Sequence, residues 1–213
     1  MASILKAALC ILSAVAGITH LAVAQDQVAE TPRPPARIVE PVNDAKLVLL
    51  RGNTRPETRL GTDLGSVDPQ LPMQRMLLIL RRSPEQEAAL AEFNAHQLDP
   101  NSLDFHHWLT PEEFGALYGP SDDDLETVRS WLQNHGFTVD NVNKGRVFIE
   151  FSGTAGLVQQ AFHSEIHRYN VRGEEHIANS NDPSIPEALI PVITGIFSLN
   201  NFYTRPCITS GAL

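Results

Sequence analysis

The sequence predicts an α+β domain with a ferredoxin-like antiparallel sheet and helices packed on one face. Three observations predict this class. Residues 76–80 ("MLLIL") form a continuous apolar run, as in a covered central strand. Three helix-start signals follow between residues 83 and 136. From residue 137 the apolar spacing changes to a period of two, with one more helix among the strands. The order β-α-α-α-β-β-α-β-β favours a split βαβ core.

The first 24 residues have the features of a secretory signal peptide. Lys6 is their only charged residue, and they end in Ala22-Val23-Ala24, an A-x-A cleavage motif. No later apolar run reaches the roughly 20 residues that a bilayer span requires. We therefore expect a secreted or periplasmic protein that has no membrane contact after residues 1–24 are removed.

The next segments are irregular in pattern. Residues 25–45 are rich in proline and charge and predict a flexible lead-in. Residues 46–50 ("KLVLL") are compatible with a short strand, and residues 51–72 contain glycine and proline throughout, which predicts loops. We place one domain at 46–202 with a regular core at 73–200, and we expect that core to fold by itself. A C-terminal tail, 203–213, follows.

The predicted helices all begin at capping signals. Residues 83–86 ("SPEQ") and 110–113 ("TPEE") each combine a capping box with proline at the first helical position. Gly119-Pro120 ends the second helix. Ser121, followed by three acidic residues, starts a third helix that ends at Gly136.

The remaining chain predicts two hairpins, a helix capped by Thr154, and a short helical turn before a last strand. A charge placed at Phe148 or Leu132 is expected to disturb the core. The predicted strands and the last piece cover residues 137–142, 146–151, 165–169, 175–179 and 186–199.

Composition excludes some functions. The chain has 16 Lys and Arg against 25 Asp and Glu, a formal net charge of −9. A nucleic-acid binder needs a basic face, so that class is excluded, and adsorption to anionic lipid is disfavoured. Cys10 would leave with the signal peptide, so Cys207 would be alone. A free thiol is predicted for Cys207, and a disulfide with another chain is the alternative.

Ser152 is the candidate nucleophile, because Ser-Gly-Thr surrounds the catalytic serine in one class of serine peptidase. A nucleophile needs a positioned base and an oxyanion hole, and no second motif supplies them here. The G-x-S-x-G pattern is also absent. We therefore predict that Ser152 is a turn residue between a strand and a helix, and that the chain has no catalytic residue.

No metal or cofactor site is predicted. His163 and His167 are four residues apart, but the predicted helix ends between them. His106 and His107 are adjacent and would point apart. Asp122–Asp124 lacks the spacing of a calcium loop and is better explained by helix capping. Two tryptophans are expected in or beside the core: Trp108 and Trp131.

Several segments resemble the activation (pro-) domain of sedolisin/kumamolisin-type serine-carboxyl peptidases, family S53. "GN", "RPE" and "D-x-G" between residues 52 and 65 fit the lead-in of such proregions. The resemblance covers roughly 45–202. Its most specific segments are "HHWLTPEEFGALYGPSDDDLETVRSWLQNHGF" (106–137), "FIEFSGTAGLVQQAFHSEIHRYNVRGEEHIAN" (148–179) and "DPSIPEALIPVITGIFSLNNF" (182–202).

The resemblance implies a ferredoxin-like propeptide that covers the active-site cleft of a catalytic domain. Such propeptides assist folding and inhibit the peptidase until acid triggers self-cleavage. The family's catalytic residues and its calcium site lie in the downstream domain, so none can be carried over. Ser152-Gly153-Thr154 is followed by Ala155, where the family's catalytic motif has serine. The chain is therefore expected to have no peptidase activity and no cofactor of its own.

Three readings of the function remain open. The chain ends about where a catalytic domain would begin, so it could be the propeptide part of a longer proenzyme acting in cis. It could instead be a stand-alone secreted inhibitor or chaperone that acts on a peptidase in trans. A ferredoxin-like module that binds peptides, with no role in proteolysis, is the third reading.

Overall fold

The computed structural model describes residues 33–202. The predicted signal peptide, the first part of the lead-in, Cys207 and the predicted tail lie outside the described residues. Within the described range, no helix is both long and apolar enough to cross a membrane.

The described residues form four α-helices, nine strands and two short 3-10 helices. The 3-10 helices are Pro56–Leu60 and Glu187–Leu189. The helices are α1 (Pro84–Leu98), α2 (Pro111–Tyr118), α3 (Asp122–Asn134) and α4 (Ala155–Phe162). The strands are β1 (Leu47–Leu49), β2 (Thr62–Ser66), β3 (Pro72–Leu80), β4 (Thr138–Val142), β5 (Phe148–Thr154), β6 (Ile166–Val171), β7 (Glu174–Asn179), β8 (Ser184–Pro186) and β9 (Ile193–Phe197).

The central sheet has the order β4-β5-β3-β9, and each neighbouring pair is antiparallel. The chain runs from β3 through α1, α2 and α3 to β4, and β5 lies between these two strands. It later runs from β5 through α4 to β9, and β3 lies between those two. The predicted α+β class is confirmed. This connectivity is the split βαβ pattern on which the ferredoxin-like interpretation rests.

Two smaller sheets were only partly predicted. β2, β6 and β7 form a three-stranded sheet, and β1 pairs with β8. The prediction that residues 51–72 are loops is wrong, because they contain a 3-10 helix and β2. β2 has the sequence "TDLGS", in which no apolar alternation marks a strand. β2 pairs with β6 through backbone hydrogen bonds, and the register of this pairing shifts between Asp63 and Gly65.

The core lies between one face of the central sheet and helices α3 and α4. The described part of α1 contains no buried residue, and neither α1 nor α2 contributes to the main cluster. Trp131 is in the core as predicted, whereas Trp108 is 73% exposed and the prediction for it is wrong. The residues at the centre of the core are Met76, Leu78, Val128, Leu132, Ile149, Phe151, Val158 and Phe162.

The helix starts are those that the capping patterns predict. Ser83 and Thr110 each form a complete capping box, with the side chain of the residue three positions later bonded back to the cap. Ser121 accepts a hydrogen bond from the N–H of Asp124, and Thr154 accepts one from the N–H of Leu157. These contacts are local in sequence, which is why the sequence shows them.

The lead-in contacts the domain from Arg37 onward, which differs from the flexible segment predicted for 25–45. The N–H groups of Arg37 and Ile38 donate to the carboxylate of Asp124. The indole Nε1 of Trp131 donates to Asp44, 2.9 Å away. Ile38 also packs against the core. The segment lacks periodicity because much of its attachment is through backbone hydrogen bonds rather than an apolar stripe.

Candidate functional site

The candidate site is the face of the central sheet that points away from the core, which we call the outer sheet face. Successive side chains of a strand point to opposite faces, and Met76, Leu78, Ile149 and Phe151 point to the core. Pairing between strands then aligns the outward residues in rows across the sheet. The outer sheet face consists of Leu77, Ile79, Phe148, Glu150, Ser152 and Phe197.

The apolar part of the outer sheet face spans three strands. Leu77 lies opposite Phe197, and Ile79 lies opposite Phe148. Leu77, Ile79 and Phe148 are half-buried, while Phe197 is 63% exposed. Neighbouring apolar side chains on a sheet face, one of them largely exposed, can form part of a site that another protein covers. This part of the sheet is therefore suited to bind a complementary apolar surface.

The polar part of the outer sheet face lies at the other end, where two bulges meet. Arg75 Nε lies 2.9 Å from Glu150 Oε1. Gln74 and Arg75 together oppose Ser152, and Arg75 has a left-handed backbone with φ 56°. Asp140 is the extra residue in the pairing of β4 with β5. Both signs of charge are thus present beside the apolar part.

Ser152 connects these two bulges. Its hydroxyl donates to Asp140 Oδ2 at 2.5 Å and accepts from the N–H of Arg75 at 3.1 Å. Ser152 belongs to β5, two residues before the helix cap at Thr154, so it is a strand residue and the predicted turn assignment is wrong. In the described part of the chain, no histidine hydrogen-bonds to its hydroxyl. This bonding gives Ser152 a structural role in the sheet.

A loop covers the edge of the central sheet beside Phe197. Asn53 Oδ1 accepts the outward N–H of Ile196 at 2.7 Å, and this bond occupies one donor on the edge of β9. Asp182 holds the loop by accepting from the N–H groups of Gly52 and Thr54. Burial opposes ionisation of Asp182, but the hydrogen bonds from Thr54 and the backbone outweigh it and lower its pKa. The Gly-Asn pair of the family-like segment therefore has a structural role here.

His163 and His167, which are four residues apart, do not share a site. His163 ends α4 in a left-handed conformation with φ 53°, so the prediction that the helix ends between His163 and His167 is confirmed. His167 instead lies between the carboxylates of Asp63 and Glu165. The sequence did not indicate this cluster, because Asp63 belongs to the strand that had been predicted as a loop.

His106 and His107, which are adjacent in sequence, also contact different aromatic rings. His106 stacks on Phe105, whereas His107 makes an edge contact with Phe93. Among residues 33–202, no group of three or more histidine, cysteine or acidic side chains is arranged to hold a metal ion.

The acidic run at the start of α3 has more than a capping role. Asp124 is fully buried, and its carboxylate accepts the two N–H groups of the lead-in. Asp122 pairs with Arg146 at 2.6 Å. The side chain of Asp123 is exposed. The sequence indicated the helix start but not the long-range partners of its carboxylates.

Comparison with known proteins finds sequence matches over much of this chain. The family model "Pro-kumamolisin, activation domain" matches residues 61–202. The chain is 29% identical over 141 residues to xanthomonalisin of Xanthomonas sp. (strain T-22), 26% over 115 residues to sedolisin of Pseudomonas sp. (strain 101), and 26% over 163 residues to kumamolisin of Bacillus sp. (strain MN-32). These matches cover 66%, 54% and 76% of this chain but only 17%, 20% and 28% of the three relatives.

Proposed function

This chain belongs to the pro-kumamolisin activation domain family, and we propose that it acts as a chaperone and inhibitor of the catalytic domain of a secreted sedolisin-type peptidase. The family match over residues 61–202 is the observation that carries the proposal. The names of the relatives, xanthomonalisin, sedolisin and kumamolisin, support a propeptide role. The chain would act in cis within a longer proenzyme or in trans on a separate peptidase.

The outer sheet face is the surface that we expect to contact the catalytic domain. Phe197 is 63% exposed and lies in a row with Leu77, so a partner could remove a large apolar area from water. Arg75 and Glu150 beside it offer one charge of each sign. The matching surface would be apolar at its centre, with polar groups at one side.

Binding to a catalytic domain tests this function. The probe is the mature catalytic domain of kumamolisin, with its active site blocked so that the chain is not cleaved. Calorimetry with residues 25–213 at pH 7 should show a saturable 1:1 complex. Absence of binding to this domain and to those of sedolisin and xanthomonalisin would contradict the proposal and favour the peptide-binding module.

The position of the interface is tested with a matched pair of variants. Phe197→Ser should weaken binding by at least about tenfold, because about 1.5–3 kcal/mol accompanies full burial of such a side chain. Leu103→Ser is the control, since Leu103 is fully exposed on the loop between α1 and α2. Loss of affinity in Leu103→Ser but not in Phe197→Ser would place the interface on that loop.

The same complex should weaken in acid. A carboxylate paired across an interface has its pKa lowered on binding. Its contribution is present above the free pKa of about 4 and is lost as the pH falls through the bound value. We therefore expect affinity at pH 3.5 to be at least about tenfold lower than at pH 7. Equal affinities at the two pH values, with the domain intact, would contradict acid release.

A further inference from the structure

We propose that Asp63, His167 and Glu165 form a pH-dependent clamp that holds β2 on the sheet of β6 and β7, strongest in mild acid and weaker on either side. β2 is the outer strand of that sheet and carries Asp63, while His167 belongs to β6. Glu165 directly precedes β6. The clamp therefore joins two strands that are about a hundred residues apart in sequence.

The geometry favours a charged imidazole. Nδ1 of His167 lies 2.9 Å from Asp63 Oδ2, and Nε2 lies 3.2 Å from Glu165 Oε2. A neutral imidazole has one N–H donor, whereas the imidazolium has two. The ring of His167 can therefore donate to both carboxylates at once only when it is protonated. In the neutral ring, one bare nitrogen would face a carboxylate, with only the Ser66 hydroxyl, 3.3 Å from Nε2, available to donate to it.

The surroundings add no cation that competes for the carboxylates among the contacts found in the described residues. From β2, His167 meets Asp63 and the hydroxyl of Ser66. From its own strand it meets Glu165 and the ring of Tyr169, at 6.3 Å between centroids. Its partner on β7 is Ala178, which is uncharged. On the side of α4, Gln159 donates to Glu165.

The pKa shifts agree with this geometry. Partial burial works to lower the pKa of His167, but the hydrogen bonds and charges of Asp63 and Glu165 outweigh it, and the pKa is raised. The backbone N–H of Gly65 and then His167 lower the pKa of Asp63. His167 and then Ser66 lower the pKa of Glu165.

The direction of each shift defines the pH window. A raised histidine pKa gives stability that is complete below the unfolded value of about 6.5 and is lost as the pH rises through the folded value. A lowered carboxylate pKa gives stability that is complete above the unfolded pKa of about 4 and is lost as the pH falls through the folded pKa. The clamp is therefore strongest between about pH 4 and 6.5. Asp63 and Glu165 are about half exposed, so salt should weaken it.

This clamp would add a pH limit to the proposed propeptide function without depending on it. In mildly acidic medium the clamp holds β2. As the pH falls below about 4, protonation of Asp63 and Glu165 removes the charged partners of the His167 ring. A propeptide with this device would remain assembled during moderate acidification and loosen one side in strong acid.

The first test needs no variant and no peptidase. Long-range NMR spectra of residues 25–213 follow the ring nitrogens of His167 between pH 4 and 8. We expect His167 to titrate above the reference of about 6.5, with both nitrogens protonated at pH 5.5. Glu165→Gln should lower this midpoint, because a neutral amide replaces a charged acceptor. A wild-type midpoint at or below the reference, or no change in Glu165→Gln, would overturn the clamp.

The second test measures attachment of β2. Amide exchange of residues 62–66 at pH 5.5 should be about two- to fivefold faster in His167→Gln than in the wild type, because the neutral glutamine amide replaces a charged partner of two half-exposed carboxylates. The ratio should approach one near pH 8. His176→Gln, on neighbouring β7, is the control and should leave these rates unchanged. Equal rates at pH 5.5, or the same ratio at both pH values, would refute the clamp and leave the propeptide proposal untouched.

Discussion

Replacing Asp124 with alanine tests how the lead-in is attached. Asp124 lies in the first turn of α3 and is 0% exposed. Its Oδ1 accepts the N–H of Arg37 at 2.9 Å and that of Ile38 at 2.8 Å. Alanine would leave both backbone donors without this acceptor in a partly buried position, and the segment before β1 would lose its main polar contact with the helix.

The magnitude follows from these two bonds. A hydrogen bond to a charged group contributes about 1.5–3 kcal/mol, and an unsatisfied buried donor costs about 1–3 kcal/mol. The two bonds share one carboxylate and are only partly buried, so we expect a loss of about 2–4 kcal/mol rather than their sum. At about 2–4 °C per kcal/mol for a domain of this size, the melting temperature should fall by roughly 5–15 °C.

Urea unfolding followed by circular dichroism measures this loss. Asp123→Ala is the matched control, because Asp123 lies on the same turn but is exposed. Both variants lose a negative charge near the helix N-terminus, so the difference between them isolates the buried hydrogen bonds. Trypsin should also cleave after Arg37 sooner in Asp124→Ala. Equal unfolding midpoints for the two variants, or unchanged cleavage at Arg37, would refute the argument.

Four further predictions follow from the geometry. Ser152→Ala should show no peptidase activity, like the parent chain, and should lose about 1 kcal/mol in urea unfolding because its bonds to two bulges are removed. Leu132→Asp should cost about 3–5 kcal/mol, and Phe148→Asp clearly less, because Leu132 is 0% exposed and Phe148 is half-buried. Gly153→Ala should lower stability by about 1–3 kcal/mol by the same assay, because its Cβ would lie 2.6 Å from Phe137. A fragment of residues 73–200 should show no cooperative unfolding transition by circular dichroism, whereas residues 33–202 should show one.

The helices and the central strands could be predicted because their signals are local. Each capping box lies within four residues, and the pattern of β5 places Ile149 and Phe151 on one face. The same alternation puts Phe148 on the opposite face. The prediction that a charge there would disturb the core was therefore wrong, since Phe148 lies on the outer sheet face.

The candidate site could be predicted only in part. Alternation in β5 indicates which residues share the outer sheet face, but the register that brings Leu77 opposite Phe197 depends on pairing across the whole chain. The bulge at Arg75 cannot be read from "PMQRMLLIL", because the sequence contains no glycine there to indicate a left-handed residue. The contacts of His167 with Asp63 and of Asp124 with the lead-in were missed for another reason, since Asp63 and the lead-in lie in segments without a periodic pattern.

The described structure places core residues upstream of the regular pattern, so we no longer expect residues 73–200 to fold by themselves. Residues before 73 provide Leu50 and Val67 to the core, and Asn53 to the edge of β9. Full burial of one such aliphatic side chain contributes about 1.5–3 kcal/mol. A few such residues amount to a large share of the 5–15 kcal/mol or so that stabilises a typical domain. A segment rich in proline and glycine can thus be essential to a fold, because its few apolar side chains and its backbone donors meet partners that only the tertiary structure provides.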